Sequence, residues 1–451
     1  MALPNVFKVL GVLPATVVLF SVYGLTHLSL NLLLRCVARS RRPTRPTRMR
    51  FTQLRPDTRP ARRATVACGR MSFSAVIDAS LGKAGTLTSQ LAVIINNLGG
   101  LVVFLIIIGD VLAGRADEPG LLQPFGCVTA WVWLLSQHNL TPAPPQPTVG
   151  QPPSGGRHHC VPAAHAAVLP AVRRLRVAAA EPCADALRAA RRVDSLKFTS
   201  ALSMCLSFMF ISITLALVAD RLYAGRIGPI NWLPDKAATP GDVLKTLPVM
   251  MTAYVCHYNV HPIFAEMAAP SERRMRRVVT AALLLCTSVY WLVGLSAYLL
   301  FTDRTQDDVL MNFGRDLDMA RGEVWVERAV KIGYLGSLSC TFPLIQFSLR
   351  QSLFDLLAWG DAREQPMRFY AVTTLLLALE YLLAMLVPNI SIAFSVLGST
   401  VAVLIGFILP ALVGVYGAAG CRPWGWALFA VGVAFGASSF SATVYGLVEP
   451  R

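Results

Sequence analysis

Apolar positions in the 451-residue chain gather into long runs instead of alternating with polar ones. Nine runs are each about 19–26 residues long, which is enough for an α-helix to cross the roughly 30 Å apolar core of a bilayer. The pattern therefore predicts an all-α polytopic membrane protein. The runs cover residues 9–34, 90–113, 198–219, 243–264, 278–301, 329–348, 369–387, 392–416 and 424–447.

Two further stretches resemble incomplete spans. Residues 1–8 have the pattern of the second half of a helix, so the first helix is expected to be truncated. Residues 121–180 contain apolar pieces without one continuous span. Counting both stretches predicts about 11 transmembrane helices.

Charged residues are scarce and lie mainly between the apolar runs. They make up 15% of the chain, against about 25% in soluble proteins. Residues 35–70 hold twelve arginines and one acid, whereas 303–327 hold seven acids and three arginines. Because basic loops stay in the cytosol, the first loop is expected to be cytosolic and the second to lie on the opposite side. This arrangement requires one crossing within 121–180.

The same pattern predicts one transmembrane domain over 1–451. We expect 36–71 to be a basic cytosolic loop, and 138–190 is an atypical Pro/Gly- and Arg-rich segment that suggests a gene-model artefact. The net charge of +16 follows from juxtamembrane loops, so no nucleic-acid partner is expected. The ten cysteines lack zinc-like spacing, and neither a metal nor another cofactor is expected.

The span 243–264 is unusual because its centre is polar. It holds Tyr254, Cys256, His257 and Asn259, and Pro262 follows shortly after. Proline removes a backbone hydrogen bond, and polar groups at membrane depth usually face a cavity or a pathway. A broken, polar membrane helix is typical of solute-binding sites in transporters. The alternative is that these groups only cap a kinked helix.

The sequence resembles the amino acid/auxin permease family, and within it the plant vacuolar-type amino acid transporters related to animal sodium-coupled neutral amino acid transporters. The resemblance extends over roughly 1–35, 72–135 and 190–447, and its most specific stretch is Thr252-Ala-Tyr-Val-Cys-His-Tyr-Asn-Val-His-Pro-Ile263. Other matching stretches are 1–4, 8–11, 96–100, 106–110, 192–196, 308–313 and 342–350.

The resemblance implies an inverted five-plus-five helical repeat in which helices one and six are broken at the substrate site. It also implies secondary active transport of amino acids by alternating access, in a multi-pass protein of the vacuolar or plasma membrane. No enzymatic activity is expected, and the expected partners of the monomer are amino acid substrates and the bilayer. The expected substrate-binding residues are Met1, Ala2, Tyr254, Cys256, His257 and Asn259.

The coupling ion is expected to be H⁺ or Na⁺. His257 is a candidate proton carrier because histidine titrates near neutrality, and Thr341 resembles a cation-coordinating threonine of sodium-coupled relatives. The Thr341 hydroxyl would alternatively bond to its own helical turn. Two other interpretations of the whole chain stay open: an amino-acid sensor that binds without transporting, and an inactive truncated product.

Overall fold

The computed structural model describes residues 2–40, 72–115, 118–119, 196–234, 239–267, 271–315, 324–359, 366–387, 389–417 and 421–448. Within these ranges the chain is almost entirely helical. The helices are α1 (Leu3–Leu10), α2 (Val12–Ser40), α3 (Phe73–Ala113), α4 (Leu196–Tyr223), α5 (Pro240–Ala253), α6 (His257–Glu266), α7 (Glu272–Phe301), α8 (Val309–Arg315), α9 (Val324–Leu356), α10 (Pro366–Leu386), α11 (Ile390–Tyr416) and α12 (Arg422–Val448).

Three smaller features complete the described secondary structure. The strands β1 (Gly114–Arg115) and β2 (Glu118–Pro119) pair antiparallel after α3. A 3₁₀ turn at Thr302–Arg304 follows α7. Two stretches of α11, Gly398–Ala402 and Leu404–Ile408, have π-helical geometry.

Eight helices within the described ranges are long and apolar enough to cross a membrane, namely α2, α3, α4, α7, α9, α10, α11 and α12. Each of them corresponds to one of eight predicted runs, although the run 9–34 already begins in α1. The ninth run is divided between α5 and α6. The protein is therefore an all-α polytopic membrane protein, as predicted. The crossing expected within 121–180 and the atypical 138–190 segment lie outside the described residues, as does most of 36–71. The five-plus-five repeat stays a prediction.

The connection between α1 and α2 depends on Gly11. Its φ of 78° lies in the left-handed region that favours glycine. A Cβ at this position would lie 2.5 Å from the Leu233 carbonyl carbon. The amides of Val12 and Leu13 donate to the carbonyls of Asn231 and Trp232 at 3.0 and 3.1 Å. The turn is thus fixed against the segment that precedes α5.

Helix α3 begins at Phe73, well before the predicted start at 90. The earlier part carries Asp78 and Lys83, which interrupt the apolar run. Gly82 has φ 69° and ψ −162°, so the backbone departs from helical geometry there. The apolar run predicted only the portion of α3 that follows this irregularity.

The two ends of the bundle differ in charge. Asp303 and Asp307 follow the C-terminus of α7, whereas Arg276 lies in its first turns, about 40 Å away at 1.5 Å per residue. Arg35 lies near the end of α2, next to the start of α12. We name the end that carries Asp303 and Asp307 the acidic face, and the end that carries Arg35 and Arg276 the basic face.

Candidate substrate site at the α5–α6 break

The chain leaves the helical path at 254–256, between α5 and α6. The amide of Tyr254 donates to the Met251 carbonyl at 3.1 Å, and that of Val255 reaches the Thr252 carbonyl at 3.4 Å. Pro262 is the residue of this stretch that would be expected to break a helix, but it lies inside α6. The break therefore falls beside the predicted site residues and is separated from the proline by more than one helical turn.

Helix α7 holds the C-terminal end of α5 in place. The Tyr290 hydroxyl donates to the Ala253 carbonyl at 3.0 Å, which satisfies one of the acceptors at the end of α5. The Tyr254 hydroxyl donates to Thr287 Oγ1 at 2.8 Å, and this hydroxyl in turn donates to the Leu283 carbonyl at 2.7 Å. The rings of Tyr254 and Tyr290 meet edge to face, with centroids 5.5 Å apart.

The N-terminus of α6 has no side-chain cap. Cys256 occupies the cap position and makes no side-chain hydrogen bond to the helix. The amide of Asn259 bonds to the Cys256 carbonyl at 3.1 Å, but the first amides of an α-helix have no intrahelical acceptor. Free amides and the positive end of the helix dipole bind anions. This end of α6 is chemically suited to a carboxylate.

His257 lies between α2 and α11 and is 1% exposed. Its Nε2 is 2.8 Å from Ser29 Oγ, and that hydroxyl donates to the Gly406 carbonyl at 2.5 Å. Because the Ser29 hydrogen is directed at a carbonyl, Ser29 Oγ must accept from His257, so Nε2 carries the imidazole proton. Nδ1 is then the unprotonated nitrogen, and it has no hydrogen-bond partner in the described part of the chain.

Helix α3 supplies a second polar contact to α6. The Tyr258 hydroxyl donates to Asn97 Oδ1 at 2.8 Å. Asn97 is 2% exposed, and its Nδ2 has no hydrogen-bond partner among the described residues. Gly99, half a turn further along α3, lies so close to Leu397 of α11 that a Cβ would overlap its side chain. Helix α3 therefore contacts α6 through the Asn97 amide and packs closely on α11 at Gly99.

The expected substrate-binding residues differ in their surroundings. Met1 lies outside the described residues. Ala2 and Tyr254 are buried in one apolar core, and Cys256 is half-buried against it. Asn259 is exposed. The structure thus brings Ala2, Tyr254 and Cys256 into one core, whereas Asn259 points away from it.

Thr341 belongs to a cluster of four hydroxyls between α4 and α9, which we name the hydroxyl cluster: Ser203, Ser207, Ser337 and Thr341. Thr341 Oγ1 is 2.7 Å from Ser203 Oγ and donates to the Ser337 carbonyl at 2.8 Å. Ser337 Oγ is 3.0 Å from Ser203 Oγ and 2.9 Å from Ser207 Oγ. Every member therefore has a hydroxyl partner, and Thr341 also bonds to its own helical turn.

A cavity of about 550 Å³ lies at the acidic face, between α1, α5, α11, α12 and the segment after α7. Among the described residues, Ala2 is the one expected substrate-binding residue that lines it. Neither its polar lining nor Ser29 was predicted from the sequence. The sequence feature that could have identified Ser29 is its position as a small polar residue inside an apolar span. The cavity gave no sequence signal, because its wall joins positions about 300 residues apart. Its lining includes Ala2, Asn5, Lys8, Lys245, Asp307 and Ser395.

The structure is a helical membrane bundle with a break between α5 and α6. The N-terminus of α6 is uncapped at this break, and buried polar groups surround it. This is the architecture of a membrane transporter. The family described as "Transmembrane amino acid transporter protein" matches residues 186–448. The chain is 32% identical over 420 residues to amino acid transporter AVT6B of Arabidopsis thaliana, which covers 92% of this chain and 78% of that protein. The chain therefore belongs to this family of amino acid transporters, the amino acid/auxin permeases.

Other relatives agree with this assignment. Amino acid transporter AVT6A of Arabidopsis thaliana is 35% identical over 345 residues, or 75% of this chain and 67% of that protein. Solute carrier family 38 member 10 of Homo sapiens is 26% identical over 219 residues, or 46% of this chain and 18% of that protein. The expected family membership is confirmed, and the protein is an integral, multi-pass membrane protein.

Proposed function

We propose that this protein carries out secondary active transport of amino acids by alternating access. The observation that carries the proposal is the α5–α6 break, where a membrane-embedded helix N-terminus is left without a side-chain cap. Family membership makes an amino acid the natural ligand. We propose transport, and no enzymatic reaction, as the activity of the single domain over 1–451, which we expect to act as a monomer.

In this proposal the substrate lies in the middle of the membrane, between the start of α1 and the break. Its carboxylate accepts hydrogen bonds from the first amides of α6, including that of His257. Its ammonium group binds acceptors beside Tyr254 and Cys256, where the chain leaves the helix. Ala2, which is 3% exposed, borders the substrate from the α1 side. Met1 completes the proposed set of contacts, whereas Asn259, which is exposed and points away from this core, is left out of it.

We propose H⁺ as the coupling ion and His257 as its binding group. The support is geometric, because Nδ1 is the unprotonated ring nitrogen and has no partner in the described part of the chain. Protonation of Nδ1 turns the ring into a donor on both sides and places a positive charge beside the proposed carboxylate position. Na⁺ held by Thr341 is the second candidate, and the mutual hydrogen bonds of the hydroxyl cluster give it less support.

The charge distribution supports an orientation with the basic face in the cytosol. The cavity at the acidic face then provides access from the vacuolar lumen or the cell exterior, depending on which of the two membranes contains the protein. Because Ala2 lines the cavity, a solute that enters there reaches the start of α1.

Uptake into proteoliposomes tests the proposal. Purified protein is reconstituted and given labelled alanine, leucine and glutamine separately, at two pH values and with or without sodium. We expect uptake that follows the proton gradient and is lost in the His257→Ala variant. Uptake that requires sodium and is abolished by Thr341→Val would instead identify Na⁺ as the coupling ion. Binding without uptake under all gradients would contradict transport and support a sensor.

A further inference from the structure

We propose that the cavity at the acidic face is a second binding site for the same zwitterionic amino acids, outside the site at the break. This inference rests on the proposed function and specifies how the substrate reaches the inner site. The cavity has one wall with the carboxylates Asp303 and Asp307, a second wall with the ammonium of Lys245, and an apolar surface between them. We name this position the outer site.

The first wall of the outer site is acidic. Asn5 Nδ2 donates to Asp307 Oδ1 at 2.6 Å, and Asn389 Nδ2 donates to Asp307 Oδ2 at 3.0 Å. Asn231 Nδ2 donates to Asp303 Oδ1 at 3.2 Å. Amides are neutral donors, so these bonds position the Asp303 and Asp307 carboxylates without neutralising their charge. A carboxylate has about four acceptor sites, and an ammonium group can occupy those that remain.

The second wall carries Lys245 of α5, and Asp242 of the same helix lines the cavity beside it. The Lys245 Nζ lies 3.8 Å from Asp242 Oδ1, one turn earlier on the same helix, which is longer than a hydrogen bond. The end of the lysine side chain rests on Gly446 of α12, where a Cβ would lie 2.6 Å from Nζ. The Lys245 carbonyl accepts from Ser395 Oγ at 3.0 Å, which fixes this part of α5 against α11. The ammonium therefore keeps donors for a carboxylate.

Lys8 is the other cation on the cavity wall, and its ammonium group has a different hydrogen-bond partner. Its Nζ donates to the Thr305 carbonyl at 3.0 Å, close to the acidic wall. Lys8 thus connects α1 to the segment after α7, whereas Lys245 has only the long contact to Asp242 among the described ion pairs. For this reason we assign the substrate carboxylate to Lys245.

An apolar surface lies between the charged walls. Val6, Val9, Val249 and Ile392 contribute to it. The cavity volume of about 550 Å³ falls within the range of roughly 300–1,000 Å³ that is typical of ligand sites. Two charges of opposite sign select a zwitterion over a simple anion or cation, and the apolar surface accepts a neutral side chain. Because Ala2 lines the same cavity, the outer site adjoins the inner one.

Equilibrium binding tests the outer site apart from transport. Purified full-length protein in lipid nanodiscs is titrated with labelled alanine, leucine and glutamine in separate experiments, and the bound molecules per chain are counted at saturation. We expect two per chain for the natural sequence and about one for Lys245→Met and for Asp307→Asn. Lys245→Arg, which keeps the charge, should retain two. Lys83→Met makes the same chemical change at an exposed position of α3 and should also retain two.

The variants separate the two proposals. One bound molecule per chain that Lys245→Met and Asp307→Asn leave unchanged would overturn the outer site and keep the inner one. Binding of none of the three amino acids would overturn both. Isobutyrate, which has the carboxylate without the ammonium, should not compete at the outer site. Competition by isobutyrate equal to that by alanine would overturn the zwitterion assignment.

Discussion

The α5–α6 break and the hydroxyl cluster are both polar regions inside an apolar bundle, but they satisfy their hydrogen bonds differently. In the hydroxyl cluster each of four hydroxyls has a partner on the facing helix. At the break, His257 Nδ1 and Asn97 Nδ2 have none among the described residues, and α6 has no side-chain cap. Since unpaired polar groups are costly in a membrane, a region that keeps them open is the better candidate for a ligand site.

The largest effect is expected from His257→Ala. The substitution removes the partner of Ser29 Oγ and the open Nδ1 together. Loss of one partner of a buried hydrogen bond costs about 1–3 kcal/mol, which corresponds to a fall of about 5- to 150-fold in a rate that depends on it. Initial rates of uptake into proteoliposomes measure the change. An uptake rate within twofold of the natural sequence would contradict a role for His257.

His257→Gln separates the hydrogen bond from the proton. The Gln amide is a donor that can replace Nε2–H toward Ser29, but it does not titrate. We expect this variant to bind amino acid with an affinity close to that of the natural sequence and to lose uptake driven by a pH gradient. If uptake by His257→Gln still follows the pH gradient, then His257 is not the proton-binding group.

Gly398→Ala is expected to have the next largest effect, on stability. Gly398 lies in the first π-helical stretch of α11, and a Cβ there would overlap the Pro248 carbonyl of α5. The helices must separate, and overpacking of this kind costs about 1–3 kcal/mol. Thermal unfolding in detergent, followed by fluorescence-detected size exclusion, measures the loss. Gly100→Ala is the matched control, because nothing lies within 4 Å of its Cβ position. Equal unfolding temperatures for Gly398→Ala and Gly100→Ala would show that α5 tolerates displacement from α11.

The sequence predicted the membrane spans better than it predicted the polar site. Apolar runs located eight helices because burial in lipid requires continuous apolar sequence. The early part of α3 was missed because Asp78 and Lys83 interrupt the run. The site was predicted as a stretch of residue types, and the position of the break within it could not be deduced. Pro262 indicated a break later in the chain than 254–256. The helix continues through Pro262 instead, because a helix can accommodate a proline where neighbouring groups satisfy the freed carbonyl.

Contacts between distant segments could not be predicted from local patterns. Ser29 and Gly406 lie in separate apolar runs, and only the packed structure shows that Ser29 bonds both to His257 and to the Gly406 carbonyl. Asn5 and Asp307 are likewise far apart in sequence and meet at the acidic face. Such pairs follow from the tertiary arrangement of helices, which neither periodicity nor composition specifies for a chain of this length.

A smaller effect is expected from Tyr290→Phe. The substitution removes the donor to the Ala253 carbonyl and leaves the ring contact with Tyr254. The carbonyl at the end of α5 is then free, at a cost of about 1 kcal/mol, so the break should become less ordered. We expect KM for uptake to rise about fivefold, with little change in thermal stability. Tyr381→Phe, which makes the same chemical change at an exposed position of α10, is the matched control and should leave KM unchanged.

Thr341→Val is expected to have the smallest effect. The substitution keeps the shape of the side chain and removes its bonds to Ser203 Oγ and the Ser337 carbonyl. Hydrogen bonds between membrane helices contribute on average about 0.6 kcal/mol, so uptake should change less than threefold. Ser203 and Ser337 remain bonded to each other in the variant, at 3.0 Å in the present structure. Uptake measured with and without sodium gives the decisive result. A loss of sodium-dependent uptake in Thr341→Val would mean that the hydroxyls exchange their mutual bonds for a cation, and that paired polar groups also serve transport in this protein.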